Sequence, residues 1–425
     1  MKTMKSICGM LAVLACTACS NNSDDAGSGN DNHFWDVTLQ ASMGSATNRA
    51  LGEGTGNAII ASFAKDDEVV VVDADGKTVG TLKAKTAGED TTLEGTLDAS
   101  TLGVGEEVSL YYLSQTANYD GQKGTLADIS SYAKGTLTVS SKDPLTFTTN
   151  SVSLAPQQSI TKFSFTSGGS NVSVRTFGIA APGLVQYDVD GETVGAVTGT
   201  LATASNEVYV ALRNTSTTQQ TYSFYIQDDA GNWYKGTKNA TLTNGKNYTA
   251  SVTLMKLPTL NGSSEEGSVG VIGGLPAIVV DLGGTIGKKA VALMNTGALC
   301  PEHYGEYLTF ANRASGLSDG WYVPTQAELT ALAGKTNAWV TQNGVNGGLF
   351  TIGSEKLFLP AAGYYDTDGT PGFVNRLEHG YYWSSTDGTG TDYIVILEFY
   401  NTNAANMNSI NKKHGLTVRP FHSLP

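Results

Sequence analysis

The most regular signal along the chain is a two-residue alternation of apolar and polar side chains, recurring from about Leu51 to Leu257. Within 107–113, Val108, Leu110 and Tyr112 fall on one side; within 221–226, Tyr222, Phe224 and Ile226 do the same. Tyr248, Ala250, Val252 and Leu254 repeat the period. Successive side chains of a strand point to opposite faces, so each run predicts a strand with one buried face. Many such runs in succession, separated by Gly, Asn and Asp, predict β-sandwiches. The pattern breaks near 151–160, where Pro156 sits in a polar stretch, and this divides the region into blocks 51–155 and 156–257.

The texture changes after Leu257. Residues 258–267 read as a flexible polar linker, and 268–425 as a mixed α+β module. Thr325 and Glu328 form a capping box behind Pro324, with Ala327, Leu329, Ala331 and Leu332 following and Gly334 as the stop. A second helix is expected over 301–314, carrying Tyr304, Tyr307, Leu308 and Ala311 on one side. Residues 393–400 and 416–421 read as strands.

The start of the chain points to export. Lys2 and Lys5 precede an apolar run over 7–15, which ends in Cys16-Thr17-Ala18-Cys19. That run is too short to cross a hydrocarbon core of ~30 Å, so 1–19 reads as a signal peptide. The small residues before Cys19 fit a bacterial lipoprotein box with Cys19 lipidated; Cys16 is the second candidate, and cleavage without lipidation the plainer reading. Residues 20–50 combine a polar tether with a strand-like segment, 34–39.

Composition narrows the partners. The 425 residues carry 26 Lys+Arg against 39 Asp+Glu, a net charge of −13, and only 15% are charged. An acidic surface excludes a protein that tracks nucleic-acid phosphates. Of the four cysteines, Cys8, Cys16 and Cys19 lie in the leader region, which leaves Cys300 without an internal disulfide partner and rules out a cysteine metal cluster.

Three Asp-x-Asp-Gly segments, 73–76, 188–191 and 366–369, suggest either calcium loops or turns. An EF-type loop has Gly sixth and Glu twelfth, whereas here Gly is fourth and the twelfth positions hold Ala84, Gly199 and Leu377. Asp-Gly also suits the positive φ of a hairpin turn. The histidines His303, His379, His414 and His422 have no metal-ligand spacing, and no hydrolase triad or phosphate loop occurs. The expectation is no catalytic residue, no metal and no cofactor.

Residues 67–72, Asp75-Gly76, 93–97, 119–129 and 242–254 together resemble the fimbrillin-like proteins of Bacteroidetes, over Asp36 to Leu257. The resemblance implies two transthyretin-like β-sandwich domains. It also implies export as a lipoprotein of the cell outer membrane, then cleavage between Arg49 and Ala50 by an Arg-specific protease. Loss of the N-terminal strand would open a groove for a strand from a neighbouring pilin subunit.

Trp321-Tyr322-Val323-Pro324-Thr325 with Glu328 and Leu332, then 358–364, 382–386 and 415–420, follow in the order of the Fibrobacter succinogenes major paralogous domain, which they resemble. That family implies a C-type-lectin-like fold, related to sulfatase-modifying enzymes. Tyr322 and Leu329 depart from its usual Arg and aromatic, and Cys300 lies outside the region of the catalytic cysteine pair. A binding role is therefore expected, with Tyr364, Tyr365, Asp366, Asp368, Asn375, Arg376, Tyr381 and Trp383 as candidate contacts to a host or bacterial glycan or protein. Trp383 also belongs to a family motif that suits a core position.

The whole chain thus reads as mainly β: two sandwiches followed by an α+β lectin-like module. The expected role is a fimbrial tip or accessory pilin, since a folded module occupies the end from which a stalk subunit would offer its strand. The alternatives are a monomeric, lipid-anchored surface glycan-binding protein and, less favoured, a sulfatase-modifying-type enzyme.

Overall fold

The computed structural model describes residues 33–43, 47–48, 62–112, 114, 117–130, 132–188, 192–367, 371–388 and 390–425; Cys19, Arg49, Ala50 and Asp368 lie outside them. Strands dominate the architecture, and Gln326–Ala333 is the one α-helix among the described residues.

Alternation in the first block produces a closed layer. Phe34–Met43 lies between Asp90–Asp98, antiparallel, and Ser151–Pro156, parallel. Beyond Asp90–Asp98 come Thr78–Ala84, Glu68–Val72, Glu107–Tyr112 and Ala133–Lys142. The last pairs back onto Ser151–Pro156 through Lys134↔Ala155 and Ala133↔Pro156, so the sheet closes on itself. Val108, Leu110 and Tyr112 point into its core as their spacing predicts. The N-terminal strand contributes Val37, Leu39, Ala41 and Met43 to the same core. Each large apolar side chain buried there stabilises the fold by roughly 1.5–3 kcal/mol. The 73–76 segment is a hairpin turn: Asp73 Oδ1 accepts the amides of Asp75 (3.1 Å) and Lys77 (2.9 Å), and Gly76 has φ 84°.

The second sheet runs in the order Met255–Lys256, Trp233–Ala240, Gln220–Asp228, Val174–Asp188, Glu207–Asn214, Ser159–Ser167, Lys246–Thr253. Its core holds Tyr222, Phe224, Ile226, Tyr248, Ala250, Val252 and Leu254, with Phe163 edge-on to Phe224 at 5.2 Å. The two blocks interlock. Between two strands of the first sheet, an arm over 117–130 crosses to the second: Ala117–Asn118 pairs with Tyr187 and Asp188, and Tyr119 is buried in the second core. The Gln122 amide donates to the Ala211 carbonyl and accepts from its N–H, both at 2.8 Å.

The last module is built on a sheet ordered Val269–Ile272, Leu275–Asp281, Lys288–Ala292, Phe421–Ser423, Trp321–Tyr322. Beside it lie two three-stranded sheets and one two-stranded hairpin. The capping box is present: Thr325 Oγ1 accepts the Glu328 amide (3.3 Å) while Glu328 Oε2 accepts the Thr325 amide (2.8 Å).

Three expectations for this region are corrected. Segment 301–314 is not an α-helix; only Phe310–Asn312 makes a short 3-10 turn. The chain turns at 301–302, where the His303 amide bonds back to Cys300 O (3.2 Å); Gly305 then has φ 77°, its N–H donates to His303 Nδ1 (3.0 Å), and Leu308 pairs with Leu416. Segment 258–267 is packed rather than loose: Leu260 is buried, its amide reaches Val271 O (2.8 Å), and the Val271 amide reaches Pro258 O (2.7 Å). The final strand is Phe421–Ser423, with 416–418 making only isolated pairings before it.

The module is fused to the second sheet. Leu299 and Cys300 lie against Gly178, where a Cβ would collide with the Leu299 carbonyl, and Cys300 is buried with Ala180 and Ala196. Trp233 of the second sheet sits in the core of the module, its Nε1 donating to Gly274 O (2.9 Å).

Candidate binding surface of the C-terminal module

Six of the residues singled out in the sequence sit on or beside one short hairpin, Tyr364–Asp366 paired with Gly372–Val374. The register Tyr364↔Val374, Tyr365↔Phe373, Asp366↔Gly372 places Tyr364 and Asp366 on one face and Tyr365 on the other. Gly363 (φ 64°) starts the hairpin; a Cβ there would strike the Val374 carbonyl. Alternation thus divides the predicted contacts into two surfaces.

The first surface is a partly buried polar chain. Asp366 Oδ1 lies 3.2 Å from His414 Nδ1, and the His414 ring packs on Tyr364 at 4.7 Å. Tyr364 meets Tyr381 edge-on at 5.5 Å, and the Tyr381 hydroxyl is 3.0 Å from His379 Nδ1. His379 stacks between Tyr381 and Tyr400 and lies 3.3 Å from Glu398 Oε1. Asn375, held at φ 56°, donates from Nδ2 to the Tyr381 hydroxyl (3.0 Å). Burial is the main cause that pushes the Tyr381 phenol up to about 12, so it stays neutral. Each member is held by another, and each carboxylate has a histidine, so this chain orders the hairpin.

The second surface is aromatic and open. Phe373 is 52% exposed, with Tyr365 at 5.2 Å and Tyr307 at 4.9 Å. The Arg376 guanidinium lies 4.8 Å from the Phe373 centroid and 4.3 Å from the buried Tyr304 ring. Tyr307 is fixed by its hydroxyl, which donates to Ala362 O at 2.5 Å. Gly415 pairs with Tyr365 between the two tyrosines, and a Cβ there would stand 3.5 Å from the Cβ of each.

Trp383 is fully buried and belongs to neither surface, since its Nε1 donates to Leu308 O (2.7 Å) and its ring packs with Val323, Ile394 and Val418. Tyr381 is also mostly inside, at 7% exposure. Sequence reasoning missed Phe373 and Tyr307. Phe373 had a local signal, a lone large apolar residue in a polar turn region, whereas Tyr307 reaches the hairpin only through tertiary packing.

Among the described residues no group of three or more His, Cys, Asp and Glu could hold a metal ion. Cys300 is wholly buried, and burial pushes its thiol well above the ordinary range. A cavity of about 130 Å³ lies elsewhere, under the arm, lined in part by Asp120, Lys123, Thr125 and Asp128. It is small, and its lining shares no residue with the hairpin.

Residues 338–421 match a family described as a domain of unknown function, DUF8237. No curated protein matches the chain. Among solved structures, a protein from Bacteroides uniformis assigned to cell adhesion is similar over 52% of this chain and 96% of its own, at 12% identity and a TM-score of 0.31. A fimbrial assembly protein from Parabacteroides distasonis is similar over 51% of this chain and 90% of its own, at 16% identity and a TM-score of 0.25. The shaft pilin SpaA of Lactobacillus rhamnosus GG is similar over 53% of this chain and 98% of its own, at 11% identity and a TM-score of 0.22. Likeness this distant assigns no role, and function is argued from the geometry.

Proposed function

We propose that the protein is a surface adhesion subunit of pilin type: two transthyretin-like sandwiches, assembled by strand addition, that present a C-type-lectin-like binding module. The observation that carries this reading is the placement of Phe34–Met43. It fills a slot between Asp90–Asp98 and Ser151–Pro156, and its alternate side chains plug the core. Removing it would leave two unpaired strand edges and a row of empty apolar pockets, which a strand of matching alternation completes. Arg49 follows shortly after this strand in the sequence, at the right position for a processing cut.

Phe421–Ser423 is held between Lys288–Ala292 and Trp321–Tyr322, so this late strand is not on offer to a neighbour. That favours a tip or accessory position over the shaft. The buried Cys300 supports a role in binding rather than oxidative chemistry. The competing reading is a monomeric lipoprotein anchored to the outer membrane through Cys19, with its N-terminal strand retained. N-terminal analysis of the surface-extracted protein separates them: a mature start at Ala50 is expected, and a lipidated start at Cys19 would overturn assembly by strand exchange.

A further inference from the structure

We infer that the Phe373 face of the hairpin is a stacking subsite for an uncharged sugar ring. The inference rests on the reading of the module as an adhesive head and names its ligand class. Phe373 is 52% exposed yet braced on its sides by Tyr307 and Tyr365. An exposed ring in a fixed orientation loses little conformational freedom when a ligand arrives, so the flat C–H face of a pyranose stacks on it at low entropic cost.

The surroundings select the class. A protein partner needs a cluster of apolar anchors, but the large apolar side chains exposed in this module, among the described residues, are Phe373 and Tyr393. One exposed ring, flanked by Tyr307, Tyr365 and the Arg376 guanidinium, matches the footprint of one sugar. The charge of Arg376 is already directed at two ring faces, Phe373 and Tyr304. The chain as a whole carries −13, so its long-range field works against the approach of an anionic sugar.

The test uses the full chain and a panel of galactose-, glucose- and mannose-terminated neutral oligosaccharides, with sialylated and uronic-acid counterparts, on an array and then by calorimetry. At least one neutral ligand is expected to bind. Phe373→Ala is expected to weaken it about tenfold or more, Phe373→Trp to retain it, and Tyr393→Ala to leave it unchanged. Unaltered shielding of Cys300 from a thiol reagent, read on protein lacking residues 1–19, certifies that each variant is folded. Binding confined to anionic sugars, binding indifferent to Phe373→Ala, or no binding to any neutral ligand would each overturn the inference. A lipidated start at Cys19 with Phe373-dependent binding intact would remove the pilus reading and leave the subsite standing.

Discussion

Asp120 joins all three parts of the molecule at one carboxylate. It sits on the arm, accepts from the Thr198 amide (3.1 Å) and hydroxyl of the second sheet, and lies 2.9 Å from His303 Nε2 of the last module. The Gly305 N–H donates to His303 Nδ1, and His303 Nε2 faces both Asp120 and the Gln186 side-chain nitrogen (2.8 Å). Burial acts to raise the Asp120 pKa, but His303 and Thr198 outweigh it and hold the carboxyl far below its usual range. A folded pKa below the unfolded one, about 3.9, stabilises the protein above that pH and is lost as pH falls. Asp120→Asn should therefore flatten the acid limb of the stability curve below about pH 5, and Asp120→Ala should cost about 3 kcal/mol at pH 7 in urea unfolding. Cys300 offers a second check at this seam. In protein lacking residues 1–19 it should stay inert to an aromatic disulfide in the native state and react fully once unfolded.

At the level of elements, sequence legibility followed the range of the cause. Two-residue alternation placed Val108, Tyr222 and Val252 correctly because a strand's faces depend on its own residues. The Thr325–Glu328 box was equally local, and Thr325→Ala should cost about 1 kcal/mol by thermal unfolding. The 301–314 segment misled because its apolar spacing has a helical period, while Glu302 and His303 are drawn into tertiary contacts from a turn. The candidate hairpin was half legible: its tyrosines stood out, but the division into two faces needed the register. The N-terminal strand carries its own test. A chain beginning at Ala50 should be less stable, and a peptide of residues 34–43 should restore it; the same peptide with Leu39→Asp should not, as melting temperatures would report.

For the whole molecule, the arm and the Gly178–Cys300 seam make three sequence modules one body. Second-sheet and module unfolding should coincide in a single calorimetric transition. Gly178→Val, which drives a side chain into the Leu299 backbone, should split it in two. Under the adhesive role proposed above, that unity decides how a load is carried. Tension entering at the hairpin passes through the seam and the arm into the first sheet. There Phe34–Met43 is bonded along both flanks, from Phe34↔Asp98 to Ser42↔Asp90 on one side and from Gln40↔Ser151 to Met43↔Leu154 on the other. A strand drawn along its own axis in such a slot loads these bonds in shear, so they yield together rather than peel one at a time. A strand seated there resists force along nearly its whole length on one flank and over its last four residues on the other.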